Sequence, residues 1–474
     1  MTLKGLVFAI LVAFVAYFVF HKFGKRVADQ VMEPSRENVD DSRPDHQIND
    51  DKTVEDKFGG WYTIGGNYQR NSFVNETVGK LCAFNLGWQF DNENNKIRSN
   101  LVISKEKGSV YYANDQHSIV EIEVKYGRRK QENFLWDEEP DRKIDCHWSI
   151  SLSKRTQSNY TLLVAPGLKS GSHKECFKFA NILTLNATNG AIDMDYIGAL
   201  MHDRDNEGFR MPTDNLILNV GGEETVLVYY GDCGRILACK DIACILLLVD
   251  AVAKDSETNH NGKCKFITMA KTVSGDKIIA LFDNHIIRFN SDGFKSEIGP
   301  KFNDQGRLKP ISMAVTSEDR IVIEMVENET GLKIVKSIDS DFKNVEILMN
   351  ADDGCLATGH SKEGVAVEGD SFYYVVCAQG HLVMGHLPGG GETTKKKTFE
   401  MCDHCISQPI VTRDSIMVYA PQQLILYDKD MPERPMGYID TESEIYDMAY
   451  FNKRMVTAFY DGTVIAYVIR SDCN

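Results

Sequence analysis

Positive charge is scarce in this sequence. Lys and Arg number 53 against 68 Asp and Glu, giving a formal net charge of −15 and a pI near 5.3. A nucleic-acid surface needs a basic patch, so that partner class is disfavoured. Cysteine is sparse as well, with 12 in 474 residues, far too few for a small disulfide-built scaffold. The even count fits disulfides and fits none. The apolar run at residues 5–20 stops at 16 residues, just short of the ~20 typical of a membrane-spanning helix. Gly389-Gly-Gly391 opens no helix and lacks P-loop lysine spacing, which argues against a phosphate cradle. Lys395, Lys396 and Lys397 beside it read as a solvated hairpin tip. No Ser/His/Asp arrangement can be assembled from separated residues. His147, His381 and His386 read as hydrogen-bonded core or surface histidines.

What is present is a recurring strand pattern. An apolar run meets a polar turn, and a second apolar run follows. Residues 101–104 with 110–113, 226–230 with 236–239, 278–282 with 286–289 and 321–325 with 332–335 all fit. So do 372–378 with 382–385, 416–419 with 424–427, and 455–459 with 464–468. Gly, Asn, Asp or Ser usually fill the connections, as hairpin turns require. The stretch 245–253 fits either a strand or a short helix. Recurrence every 40–55 residues or so is the mark of a propeller or solenoid. One blade per hairpin pair gives an all-β, seven- or eight-bladed β-propeller over residues 58–474, eight being the better fit. A terminal strand normally pairs into the opposite terminal blade, removing the exposed edge. The expected closing strand lies near 62–73 or 75–81, on the blade built by 455–469.

The segment before the propeller divides into a short tail (1–4), an apolar segment (5–21) and a linker (22–57) that is basic, then acidic. Residues 5–21 are expected to be a transmembrane signal anchor. A cleaved signal peptide ending after Ala16 and a buried soluble helix are the alternatives. The linker carries ten carboxylates from Asp29 to Asp56, with Pro34 and Pro44 as breakers. It cannot bury enough apolar surface to fold. Lys22, Lys25 and Arg26 follow the apolar run and would hold the large domain in the cytosol. Long domains translocate largely regardless of charge. Four N-x-S/T sequons stand at Asn75, Asn159, Asn186 and Asn328, a number that chance supplies. A lumenal or extracellular propeller is the expectation.

Trp61-Tyr-Thr-Ile-Gly-Gly-Asn-Tyr-Gln-Arg-Asn71 resembles the opening motif of PQQ-like (quinoprotein alcohol dehydrogenase-like) β-propellers. Leu86-Gly-Trp-Gln-Phe90, Lys96-Ile-Arg-Ser-Asn-Leu-Val-Ile103 and Gly108-Ser-Val-Tyr-Tyr-Ala-Asn-Asp115 are similar to one blade of that family. Leu185-Asn-Ala-Thr-Asn-Gly190 and Tyr460-Asp-Gly-Thr-Val-Ile-Ala-Tyr467 resemble others of its turns. The resemblance implies the propeller fold. It also implies an adjacent Cys-Cys pair on the quinone, a calcium site and a Trp in each blade docked against the next. No Cys-Cys occurs here, all four Trp precede residue 150, and Met194 stands where a docking Trp is expected. The acidic residues show no assignable calcium spacing. The resemblance is therefore closer to the non-enzymatic scaffold members, and no cofactor is expected.

Cys402-Asp-His-Cys405 is the sharpest local motif. It fits a structural disulfide or loop thiols, a metal site with distant partners, or a redox pair. A redox pair wants a helix N-terminus, and a strand is expected to follow. Cys233 and Cys239 flank a turn where a cross-hairpin disulfide fits, and buried free cysteines fit as well. The expected function is a membrane-tethered, non-enzymatic interaction scaffold whose protein partners bind at the propeller rim or an edge strand. A PQQ- or metal-dependent oxidoreductase and a lumenal ligand sensor are the alternatives.

Overall fold

The computed structural model describes residues 66–471 apart from 68, 82, 93–94, 106, 117, 135–146, 155–159, 168–182, 187–191, 196–214, 221–222, 230–234, 241–242, 249–265, 275–276, 284, 291–295, 301–306, 360–361, 389–395 and 402–404. All of them fall in one of the chain's two units, Thr53–Asn474. The apolar segment 5–21 and the linker 22–57 lie outside the described residues. Among the described residues no helix is long and apolar enough to cross a membrane.

The described residues form strands, one 3-10 turn (Ala351–Asp353) and connections. The strands build eight four-stranded antiparallel sheets. One holds β2 (Val102–Ser104), β3 (Ser109–Ala113), β4 (Ser118–Glu123) and β5 (Arg129–Phe134). The next holds β6 (His147–Lys154), β7 (Tyr160–Gly167), β8 (Leu183–Asn186) and β9 (Ile192–Asp195). Then come β10 (Asn215–Val220), β11 (Glu223–Tyr229), β12 (Arg235–Lys240) and β13 (Ala243–Leu248). The fourth holds β14 (Phe266–Lys271), β15 (Lys277–Phe282), β16 (Ile286–Asn290) and β17 (Ser296–Ile298). The fifth holds β18 (Leu308–Val315), β19 (Ile321–Glu327), β20 (Lys333–Ile338) and β21 (Val345–Met349). The sixth holds β22 (Ala366–Glu368), β23 (Phe372–Cys377), β24 (His381–His386) and β25 (Lys397–Glu400). The seventh holds β26 (Ile410–Val411), β27 (Ser415–Ala420), β28 (Gln423–Asp428) and β29 (Pro435–Asp440).

The last sheet joins the two ends of the described chain. Strands β30 (Ile445–Phe451), β31 (Arg454–Phe459) and β32 (Val464–Arg470) are completed by β1 (Ala83–Phe90). β1 pairs with β32 from Ala83 opposite Arg470 to Phe90 opposite Val464. Closure by a terminal strand is as expected, but the strand is 83–90 and not 62–73 or 75–81. The earlier residues are engaged elsewhere, as described below. The ambiguous stretch 245–253 begins as strand: β13 pairs along β12, with Cys244 opposite Cys239.

Sheet position explains the residue pattern. The second strand of a sheet is buried on both faces because neighbouring sheets stack on it. Val110, Tyr111, Tyr112 and Ala113 of β3 are inaccessible, and every residue of β27 is buried. Such strands read as unbroken apolar runs. The outermost strands alternate or face water, as in Pro435–Asp440. The cores are shared between consecutive sheets. Ala314 and Val335 pack with Val367 and Tyr373, Tyr374 with Val418, and Met417 with Tyr450 and Tyr112.

Candidate functional site

The first strand of each sheet leaves one edge unpaired within that sheet, and an unpaired edge needs partners. The chain's own segment 67–76 supplies several. Val315 donates its N–H to the Gln69 carbonyl (2.8 Å), Val367 to Asn71 (2.8 Å) and Val411 to Ser72 (2.9 Å). Val74 donates back to the Val411 carbonyl (2.8 Å). Arg70 Nε donates to the Met269 carbonyl at 3.0 Å. One short segment thus touches first strands of four sheets: β14, β18, β22 and β26. The opening motif builds this strap. Asn67 Nδ2 donates to Asn71 Oδ1 (2.7 Å), which also accepts the Phe73 N–H (3.0 Å). Arg70 and Ser72 hold φ of 60° and 55°, costly for non-glycine residues. Both are buried and pinned by these bonds.

A polar and aromatic cluster forms around Asp447. Asp447 of β30 accepts the Leu101 N–H (2.8 Å) and lies 3.6 Å from Lys362 Nζ, which precedes β22. The Lys362 ammonium sits 5.1 Å from the Tyr446 ring centre, a cation–π contact. Tyr446 meets Tyr460 edge-on at 5.1 Å. Tyr419 of β27 is buried, and its hydroxyl has no hydrogen-bond partner among the described residues. Burial, then the Asp447 charge, pushes the Tyr419 phenol well above its ordinary value. Burial, then Glu444, does the same to Tyr460. Both phenols therefore stay neutral and offer donor hydroxyls.

A third arrangement lies in the seam between the fifth and sixth sheets. Lys333 is 1% exposed. Its Nζ is 2.7 Å from Glu324, 3.2 Å from Glu363 and 2.8 Å from the Val376 carbonyl. Ser312 Oγ donates to Glu324 (2.9 Å), and the Thr358 N–H and hydroxyl donate to Glu363 (2.8 and 2.5 Å). Two carboxylates pair the ammonium's charge, and the Val376 carbonyl accepts a hydrogen bond from it. The same seam carries a disulfide between Cys355 and Cys377, with Cα atoms 5.1 Å apart.

The residues singled out from sequence are dispersed. Cys405 is buried and disulfide-bonded, so it is neither a thiolate ligand nor a free thiol. Cys402, Cys233 and Asn159 lie outside the described residues. Cys239 and Asn186 are strand residues of β12 and β8. Asn75 is partly buried and accepts a hydrogen bond from Arg413 Nε (2.6 Å). Asn328 is exposed at the β19–β20 turn. Among the described residues no group of three or more His, Cys, Asp or Glu could hold a metal. Sequence reasoning missed Cys355–Cys377, Lys333, Glu324 and the Lys362–Asp447 pair. Glu324, alone in the apolar run Ile321-Val-Ile-Glu-Met325, was the one visible signal.

Trp88, buried at 7% exposure, joins two sheets. It projects from β1 to the β4–β5 turn, where its Nε1 donates to the Val124 carbonyl at 2.6 Å.

The fold is that of a β-propeller. It is similar to quinohemoprotein alcohol dehydrogenase from Comamonas testosteroni, with TM-score 0.56 and 10% identity, over 88% of this chain and 81% of that one. It is similar to quinohemoprotein alcohol dehydrogenase ADHIIG from Pseudomonas putida HK5, with TM-score 0.54, 10% identity and the same coverage. It is also similar to the computationally designed Ika8 protein, with TM-score 0.51 and 13% identity, over 81% of this chain and 99% of that one. Identities this low show the shared fold alone, a β-propeller. No family model matches the sequence, and no curated protein matches it.

Proposed function

We propose that this chain is an eight-bladed propeller that acts as a protein-interaction scaffold. Each four-stranded sheet is one blade. Residues 5–21 tether it to a membrane, with the propeller on the lumenal or extracellular side. The observation that carries this reading is the strap. Residues 67–76 bond to the inner edges of four sheets, so the chain itself occupies the axial position and binding falls to the faces, rim and outer edges. The buried disulfides support an oxidising compartment.

The test is photo-crosslinking from Glu442, an exposed residue beside the β29–β30 connection, in intact membranes. Protease protection and glycosidase treatment are run on the same vesicles. A discrete crosslinked protein species and a protected, glycosidase-sensitive domain are expected. The fold likeness to quinohemoprotein alcohol dehydrogenases favours a second reading, a PQQ-dependent oxidoreductase. Saturable thermal stabilisation by PQQ with Ca²⁺, together with recovered dye-linked alcohol oxidation, would replace the scaffold reading.

A further inference from the structure

Against a net charge of −15, the β4–β5 turn is an island of the opposite sign. Lys125-Tyr-Gly-Arg-Arg-Lys130 carries four cations and no carboxylate. Tyr126 at its tip is 53% exposed. Lys125 Nζ and the Arg128 guanidinium both lean on its ring, at 4.9 and 5.5 Å. Arg129 is braced by Glu132 (2.7 Å), and Lys130 by Ser109 Oγ (2.6 Å) and the Lys107 carbonyl (3.1 Å). Trp88 supports the turn from below. A Cβ on Gly127 (φ 68°) would fall 2.6 Å from the Trp88 ring. The tip is therefore a preorganised aromatic and cationic surface, the composition that anchors protein interfaces.

The turn leads directly into β5, the outermost strand of its sheet. Among the described residues its outer backbone edge pairs with no other strand, so it is open there to one more, and its first residues, Arg129-Lys-Gln-Glu132, are polar. We propose that the β4–β5 tip and the outer edge of β5 form a docking site for an acidic, extended segment of a protein partner. That segment adds as a strand along β5, and its carboxylates meet Lys125 and Arg128; Lys130 is turned inward to Glu121 (3.6 Å). A polypeptide is favoured over an anionic lipid surface because only a polypeptide can use the strand edge. The site rests on the scaffold reading and names the partner's chemistry.

The probe is a fluorescein-labelled decapeptide of alternating Glu and Val, titrated by anisotropy into the full-length protein in detergent. Binding should be saturable and weaken with added salt. The double variant Lys125→Glu/Arg128→Glu should bind at least about tenfold more weakly, because like charges then face the peptide. Tyr126→Ala should weaken binding too, with unchanged melting showing that the variants fold. The same peptide N-methylated at alternate residues should lose binding, since it cannot pair with the edge. Three results overturn the proposal: no binding, binding unaffected by charge reversal, or equal binding of the N-methylated peptide. The cations would then only guard the edge. Binding of phosphatidylserine vesicles without binding of the peptide overturns it in favour of a lipid surface. A crosslinked partner from Glu442 with no peptide binding would sink this site and leave the scaffold reading standing.

Discussion

Lys333→Met tests whether the seam between the fifth and sixth sheets is held as its geometry indicates. The substitution keeps an apolar stem of similar length and removes the ammonium. Two carboxylates, Glu324 at 0% and Glu363 at 7% exposure, then lose the cation at 2.7 and 3.2 Å. The Val376 carbonyl loses its 2.8 Å donor. Stranding one partner of a buried ion pair costs about 3–5 kcal/mol. A carbonyl left without that donor adds about 1 kcal/mol or more. The expected loss is about 4 kcal/mol, read as a lowered urea midpoint in the fluorescence of the purified domain. Limited proteolysis should detect early cleavage near this seam. The triple variant Glu324→Leu/Lys333→Met/Glu363→Leu should regain much of the loss, because apolar replacements strand no charge. A loss below about 1 kcal/mol for Lys333→Met, the range of a solvated surface pair, would refute the reasoning.

Replacing Cys355 and Cys377 by Ser opens a loop with a sequence separation of 22. It should cost about 3 kcal/mol by the chain-entropy model, seen as a lower melting temperature that matches the reduced wild type. Asp414 has a different, pH-dependent role. Burial raises its pKa, but the N–H groups of Val78 and Gly79 and the hydroxyls of Ser415 and Thr412 outweigh this and hold it below the ordinary value. A depressed folded-state pKa gives stability that is present above the unfolded value and is lost as pH falls through the folded one. Asp414→Asn should therefore be less stable by about 1 kcal/mol at neutral pH, and its melting should start to approach wild type only below about pH 4, meeting it once the pH is below the depressed folded-state value. A constant gap across that window would contradict this assignment. Asn328→Gln should remove one glycosidase-sensitive mass increment, measured by gel mobility of protein from the secretory pathway. An unshifted wild type would count against lumenal placement.

What the sequence made legible follows the burial of the strands. The hairpins at 278–282 with 286–289 and at 416–419 with 424–427 coincide with β15–β16 and β27–β28, because strands sandwiched between sheets keep unbroken apolar runs. Outer strands such as Arg129–Phe134 are polar enough to pass for loops, and Ile410–Val411 is too short to show any period. The closing strand was placed too early for a specific reason. Residues before it carry strand-like composition, but Val78 and Gly79 are still tied to Asp414, at 2.9 and 2.7 Å, and have yet to reach the outer edge. The Trp61–Asn71 motif signalled the fold without showing what Asn67, Arg70 and Asn71 do as a strap. Pairings such as Lys362 with Asp447 join residues far apart in sequence, and no local pattern encodes them.

The strap and the closing strand together assign the N-terminal part of the propeller a late role. Segment 67–76 has no partners until Met269, Val315, Val367 and Val411 are in place. Among the described residues strand β1 has no ladder partner until Val464–Arg470 exists. Each of these contacts joins residues at least 199 positions apart, so each adds chain-closure entropy before it returns any binding. Trp88 then links the closed sheet to the β4–β5 turn. The hairpin's own hydrogen bonds shape that turn locally, and the support from Trp88 is added only when both ends of the domain have met. A surface built there gains that support in the closed propeller and lacks it in a partly folded one.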